Sequence, residues 1–273
     1  MIRMETESGW WLITHSDHAR LAGSFAEAWG NTQFASPEPR ARVLRGIRCH
    51  DDGWAARDTQ PQITRQGKPS AFSVELVGKY SAFEEIDLED YLTVRDRAVR
   101  LIASEDAYAA LLISMHTCNL LRERADRSTI APVQLPLLDG FLAAQVAYQQ
   151  ELTRAIKEDT SLTEAAKSEG RICDQFRLLQ ATDNLSLLSC VAYRKHATLL
   201  HPLPLRDGNY STVDVDAVGD RRFRLTPYPF AEAPLAFHFP ARHVTGHTFA
   251  TAVELQSSFA EATVEMLTVT LSA

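Results

Sequence analysis

The sequence predicts a mainly α protein, a helical bundle with a small antiparallel β appendage at its C-terminal end. Two observations carry that expectation. Between about residues 16 and 196, apolar residues recur at three- and four-residue steps, the spacing of helices with one buried face. After His201-Pro202-Leu203-Pro204 the pattern changes to short alternating runs: Val213-Asp214-Val215, Phe223-Arg224-Leu225, Leu235-Ala236-Phe237-His238-Phe239 and Leu267-Thr268-Val269-Thr270-Leu271. That is the period of strands. The expected division is a helical domain over 1–204 and a β-rich appendage over 205–273. The appendage packs on the helices because its apolar residues are too few for a generous core alone.

Each element has a local reason. Trp10-Trp11-Leu12-Ile13-Thr14 is short and apolar, a strand or a buried lead-in. Ser16 can cap a helix running to about Trp29, with Asp17 in the first turn, where the helix dipole favours a carboxylate. Gly30-Asn31 supply its stop. Pro37 and Pro39 open a second helix reaching about Trp54. Thr59 to Lys79, with Pro61, Gly67, Pro69 and Gly78, reads as a long turn-rich loop of the kind that covers a substrate. Asp87 to about Ala125 reads as two helices meeting near Ser104-Glu105. Further helices fit Pro136 to about Lys157 and Gly170 to about His196. Thr248 to Glu265 fits helix or strand.

Composition narrows the function classes. The chain has 273 residues, 45% hydrophobic and 23% charged, which suits a large globular core. Its formal net charge is -7 and it carries no dense Lys/Arg run, so no nucleic-acid partner is expected. No stretch approaches the ~18 apolar residues of a membrane span. The polar start, Met1-Ile2-Arg3-Met4-Glu5-Thr6-Glu7, lacks the regions of a signal peptide, so the expected location is the cytoplasm. Cys49, Cys118, Cys173 and Cys190 are scattered, with no CxxC pair, and read as reduced core residues. The sequence leaves the oligomeric state open, a homo-oligomer included.

The chemistry lies in polar residues that fall on apolar helix faces. His18 shares a stripe with Leu21, Phe25 and Ala28. His50 shares one with Val43, Ile47 and Trp54, and Asp51 lies beside it. His116 stacks with Leu112 and Leu120. Asp183 sits among Phe176, Leu179, Leu187 and Cys190. A lone histidine in such a place is more often a satisfied core residue than a ligand. Asp183 has Arg177 or Arg194 as alternative partners, and one of Asp51 and Asp52 must face outward. Taken together, however, two buried carboxylates and three imidazoles need a common compensation, because an uncompensated buried charge costs several kcal/mol. A divalent transition metal (Mn, Fe, Ni, Co or Zn), as one or two ions, supplies it. The metal ligands expected are therefore His18, His50, Asp51, His116 and Asp183.

The order His18, His50-Asp51, Asp183 resembles the motif of the HD superfamily, named for its His-Asp doublet and built on a helical bundle. His116 corresponds to the additional histidines that some members place between doublet and final aspartate. Across most of its length the chain is also similar to a bacterial family without an assigned activity. The segments that carry this are Ser16-Asp17-His18-Ala19, His50-Asp51-Asp52-Gly53-Trp54, Ser114-Met115-His116-Thr117 and Asp183-Asn184-Leu185-Ser186-Leu187. The HD resemblance implies a metal-dependent phosphohydrolase acting on a phosphoester or nucleotide-like small molecule. Its alternative is a di-iron oxygenase, and dinuclear members typically have two intermediate histidines where this chain has one. A third reading is a non-catalytic protein whose metal stabilises a ligand site. In the hydrolase reading the metal activates a water, Asp51 bridges if two ions bind, and His15 or Asp52 moves the proton.

Other candidates are weaker. Asp52 and Asp58, flanking Gly53-Trp54, read as solvated loop carboxylates apart from that proton role. Trp54 is a core residue or a stacking surface for a substrate ring, and Lys79-Tyr80 a contact for an anion. His238, His243 and His247 form a second cluster on a turn-rich segment with no carboxylate partner. No P-loop, Rossmann glycine fingerprint or nucleophile elbow is present.

Overall fold

Residues that read as a polar terminus and an apolar lead-in form the first hairpin of a large sheet. In Ile2-Arg3-Met4-Glu5 the side chains alternate between buried and outward, the period of a strand (β1, Ile2–Glu5), and β2 (Gly9–Ile13) returns antiparallel to it. The computed structural model describes residues 1–77 and 87–273. After the hairpin come α1 (His15–Ala28), α2 (Arg40–Cys49), a 3-10 turn at Asp52–Trp54 and the short α3 (Ala55–Asp58). Four longer helices follow: α4 (Leu88–Ala103), α5 (Ala107–Asn119), α6 (Leu135–Glu158) and α7 (Glu169–Cys190). The chain then supplies β3 (Ala197–Thr198), β4 (Leu203–Pro204), β5 (Tyr210–Ser211), β6 (Asp214–Gly219), β7 (Arg222–Thr226) and β8 (Leu235–Thr245). It ends with α8 (Ala252–Glu261) and β9 (Val264–Ser272).

The expected mainly α bundle with a small C-terminal antiparallel appendage is therefore corrected. One seven-stranded sheet runs in the order β1-β2-β8-β9-β7-β6-β3, and β4-β5 make a second, two-stranded sheet. The large sheet is mixed, because β7 and β9 pair in parallel, Phe223 opposite Leu271. It also takes strands from both sides of residue 204. β2 pairs with β8, Trp10 opposite Val244 and Leu12 opposite Arg242. These partners are more than two hundred residues apart, and no local pattern in either strand announces the other. The mainly α reading fails for that reason. The open stretch Thr248 to Glu265 divides into α8 and the start of β9.

The helices lie close to the expected positions, with corrections at their ends. Thr14, not Ser16, caps α1: its hydroxyl accepts from the Asp17 amide at 3.0 Å and donates to the Asp17 carboxylate at 2.6 Å. The second helix stops at Cys49, short of Trp54, and α7 stops at Cys190, short of His196. A break after Ala103 separates α4 from α5 near the predicted point, and Asp106 caps α5. Phe25 of α1 meets Phe237 of β8 edge to face at 4.8 Å, which seats the first helix on the sheet. The main core lies between them and extends through Val43, Ile47, Leu112 and Leu179. The loop after α3 is held to the sheet edge: the Arg3 amide donates to the Phe72 carbonyl and the Phe72 amide to the Met1 carbonyl. All four cysteines are free, with Cys118 and Cys190 buried and Cys49 and Cys173 partly so. Among the described residues, no helix is long and apolar enough to cross a membrane. Lys79 and Tyr80 lie outside the described residues.

One glycine sets how closely the 3-10 turn approaches α4. A Cβ on Gly53 would stand 2.0 Å from the Val94 carbonyl oxygen, a backbone atom that cannot swing aside. Only glycine lets the Asp52–Trp54 turn lie against that helix. Gly53→Ala is expected to lower stability by about 1–3 kcal/mol through overpacking, read as a fall in the thermal denaturation midpoint. An unchanged midpoint would contradict this packing.

Candidate metal centre

Four segments converge where the sequence places their polar residues. His18 lies one turn into α1. His50 follows the last residue of α2, with Asp51 next to it. His116 lies near the end of α5 and Asp183 in the middle of α7. All five are buried. They form two overlapping groups, His18/His50/Asp51 and His50/His116/Asp183, in each of which the donor atoms lie within 4.8 Å of one another.

The hydrogen bonds behind these side chains decide which atoms face inward. His50 Nδ1 is 2.7 Å from the Ile47 carbonyl, which can only accept, so Nδ1 carries the proton. That bond also satisfies a carbonyl left open in the last turn of α2. The Ser186 hydroxyl donates to the Asp183 carbonyl at 2.8 Å and therefore accepts from His18 Nδ1, also at 2.8 Å. Both rings thus turn Nε2 toward the carboxylates. His18 Nε2 stands 3.0 Å from Asp51 Oδ2, and His50 Nε2 stands 3.2 Å from Asp183 Oδ1. His116 Nδ1 is buried with no hydrogen-bond partner among the described residues, and its Nε2 is 4.0 Å from Asp183 Oδ2.

The protonation equilibria follow from this crowding. Burial opposes protonation of His50, yet the Asp51 charge and the bond to Asp183 outweigh it and lift its pKa to about 9. Burial drives His116 down to about 3 against the pull of Asp183, so its imidazole is neutral. Asp51 and Asp183 are also opposed by burial. The Arg95 guanidinium holds Asp51 well below the usual carboxylate range, and His50 holds Asp183 below it.

Arg95 is the partner that the sequence reading missed. It is buried, bonds Asp51 Oδ1 at 2.5 Å through one terminal nitrogen, and donates to the Tyr91 hydroxyl at 3.0 Å through Nε. The signal was present. Tyr91, Leu92, Arg95, Val99 and Ile102 follow the apolar stripe of α4, and a charge on that stripe needs a buried partner. Because Arg95 takes Oδ1, Asp51 turns Oδ2 toward the histidines. Ser186, three residues after Asp183, is the other supporting residue that was overlooked.

The two expected proton-transfer residues part company. His15 begins α1, its ring 6.3 Å from that of His18, and it lines the cavity beside the centre. Asp58, expected to be solvated, is buried against it, 2.9 Å from His15 Nδ1 and bonded to the His15 amide. Burial lowers the His15 pKa to about 4 despite the Asp58 charge. Asp52 is not brought to the site. It turns outward to the Ser16 hydroxyl and the Arg20 guanidinium. Nor do His238, His243 and His247 form a metal group among the described residues. They bond Thr268, Thr6 Oγ1 and the Thr6 carbonyl respectively.

The cavity over the centre has a volume of about 230 Å³ and opens to solvent. The described part of the loop after α3 contributes Pro61, Ala71, Phe72 and Val77 to its wall, and α7 contributes Leu187 and Leu188. Trp54 is also in the wall, stacked on His15 at 4.4 Å.

A chain built around this centre belongs to a family defined by sequence. Residues 1–246 match DUF3891, described as a protein of unknown function, and the chain is a member of that family. No curated protein and no solved structure matches it.

Removing Arg95 leaves Asp51 buried with one oxygen unpaired. Arg95→Met is expected to destabilise the protein by about 3–5 kcal/mol, as broken buried pairs do. Adding Asp51→Asn should recover part of the loss. A double-mutant denaturation cycle with no coupling between the two positions would contradict the pairing.

Proposed function

We propose that the chain is a metal-dependent hydrolase holding one divalent cation among His18, His50, Asp51, His116 and Asp183. One observation carries the reading: Nε2 of His18 stands 3.0 Å from Asp51 Oδ2 and Nε2 of His50 stands 3.2 Å from Asp183 Oδ1, at the heart of two overlapping donor groups. A cation bound there would take the place of the proton that His50 carries toward Asp183. The spacings suit it, since neighbouring ligands of an ion with bonds of about 2.1 Å lie about 3 Å apart and opposite ones about 4.2 Å apart. His116, neutral and without a hydrogen bond to Nδ1, completes a nitrogen and oxygen donor set without thiolate, which suits Mn, Fe, Co, Ni or Zn. Both donor groups need the single free nitrogen of His50, so the arrangement favours one ion over two. It thereby favours hydrolysis over the di-iron oxygenase reading.

The ligand order His18, His50-Asp51, Asp183 resembles that of the HD superfamily and supports a phosphoester as substrate. A bound divalent cation would lower the pKa of a water and polarise a phosphoryl oxygen. His15, neutral at pH 7, braced by Asp58 and lining the cavity, would in this reading take a proton from that water and return it to the leaving oxygen. Arg95 holds Oδ1 of Asp51, which would leave Oδ2 to bind a metal.

Elemental analysis of protein purified without chelator should find about one transition-metal ion per chain, lost in His50→Ala. Absence of metal after reconstitution with Mn, Fe, Co, Ni and Zn would overturn the reading, leaving a cluster held together by protons. Ser186→Ala, which releases His18 Nδ1, should weaken metal binding roughly 10–100-fold. His15→Ala should retain the metal and lower kcat by about 10²-fold or more. Unchanged turnover in that variant would remove His15 from the mechanism.

A further inference from the structure

The walls of the cavity define its occupant more narrowly than the ligand order does. Beside the polar centre stand Phe72, Leu120, Leu187 and Leu188, so most of the enclosed surface offers dispersion contacts and no hydrogen bonds. The Trp54 ring is already engaged, stacked on His15 at 4.4 Å and facing the Arg95 guanidinium at 5.5 Å, and is not a free platform for a base. Its indole N–H is buried and has no acceptor among the described residues. A buried donor left unpaired is costly, and a ligand oxygen is one way to satisfy it. Arg124 also lines the cavity but is exposed, which places a cation at its mouth.

Size then excludes large substrates. A cavity of ~150 Å³ holds a benzene, so about 230 Å³ takes a benzene-sized body with a phosphoryl group beside it. A nucleoside monophosphate would leave its base outside that volume and outside the apolar walls. We infer that the substrate is a small phosphomonoester with a compact apolar body, aromatic or branched, whose phosphoryl group reaches the metal ligands and accepts from the Trp54 indole. This rests on the hydrolase reading above and replaces its nucleotide option. The step is balanced by water alone. Water oxygen bonds to phosphorus, the ester P–O bond breaks, one water proton passes to the leaving alcohol, and the products are the alcohol and inorganic phosphate.

The test compares phenyl phosphate, inorganic phosphate and adenosine 5′-monophosphate on the full chain loaded with Mn²⁺, by calorimetry and by phosphate release. Phenyl phosphate should bind at least tenfold more tightly than either of the others and be the better substrate. Trp54→Phe, which keeps the aromatic ring and removes the donor, should weaken phenyl phosphate about tenfold without changing metal content. Leu187→Trp, which fills the cavity from α7, should abolish phenyl phosphate binding and spare inorganic phosphate. Should Trp54→Phe fail to fold, Leu187→Trp decides alone. Equal binding of the nucleotide, or phenyl phosphate binding indifferent to these substitutions, would overturn the inference while measured metal content leaves the hydrolase reading standing. Absence of metal would sink the hydrolase reading, and the calorimetric rank order on that protein would still judge the cavity.

Discussion

Two buried carboxylates, each facing the Nε2 of a histidine, are the constraint on which the rest of this structure depends. Asp51 and Asp183 are buried, and their histidine neighbours direct Nδ1 elsewhere: His50 to the Ile47 carbonyl and His18 to Ser186. The elements around them supply the matching positive charge and fix the geometry. Arg95 neutralises one oxygen of Asp51, and the same residue touches Tyr91 and Trp54, so one guanidinium ties the polar centre to the aromatic wall.

The fold makes that centre rigid by closing it from several directions. β2 runs directly into α1, so the sheet sets where His18 stands. Gly53 allows the turn after His50-Asp51 to lie against α4, which brings Asp51 to Arg95. Ser186 joins His18 of the first helix to the backbone of Asp183 on the seventh. Residues separated by 168 positions are thereby held within one hydrogen bond of each other. An arrangement so braced keeps its donors in place whether or not a cation is present, as a preorganised site requires.

Much of the centre was legible because helical spacing is a local property. A histidine or aspartate at every third or fourth step along an apolar run must face the core, and five such positions on four segments do meet. Arg95 obeyed the same rule and was passed over, since an arginine in a stripe is easily taken for a side chain whose charge escapes to solvent. Asp58 and Asp52 were indistinguishable by spacing. Each flanks Gly53-Trp54, yet one is buried against His15 and the other faces Arg20. The end of α2 was overrun in the reading because residues 50 to 54 continue its stripe while the backbone has already tightened into a 3-10 turn.

What the sequence determined by itself was the position of each long helix and the identity of the polar residues facing inward, because both follow from contacts within a few residues. What only the tertiary structure decided was the sheet and the division of labour around the centre. Pairing Trp10 with Val244, or His15 with Asp58, brings together segments whose separation along the chain leaves no trace in either one's local pattern. Strand pairing and buried ion pairs are satisfied between distant segments, so they emerge only once the whole chain has packed.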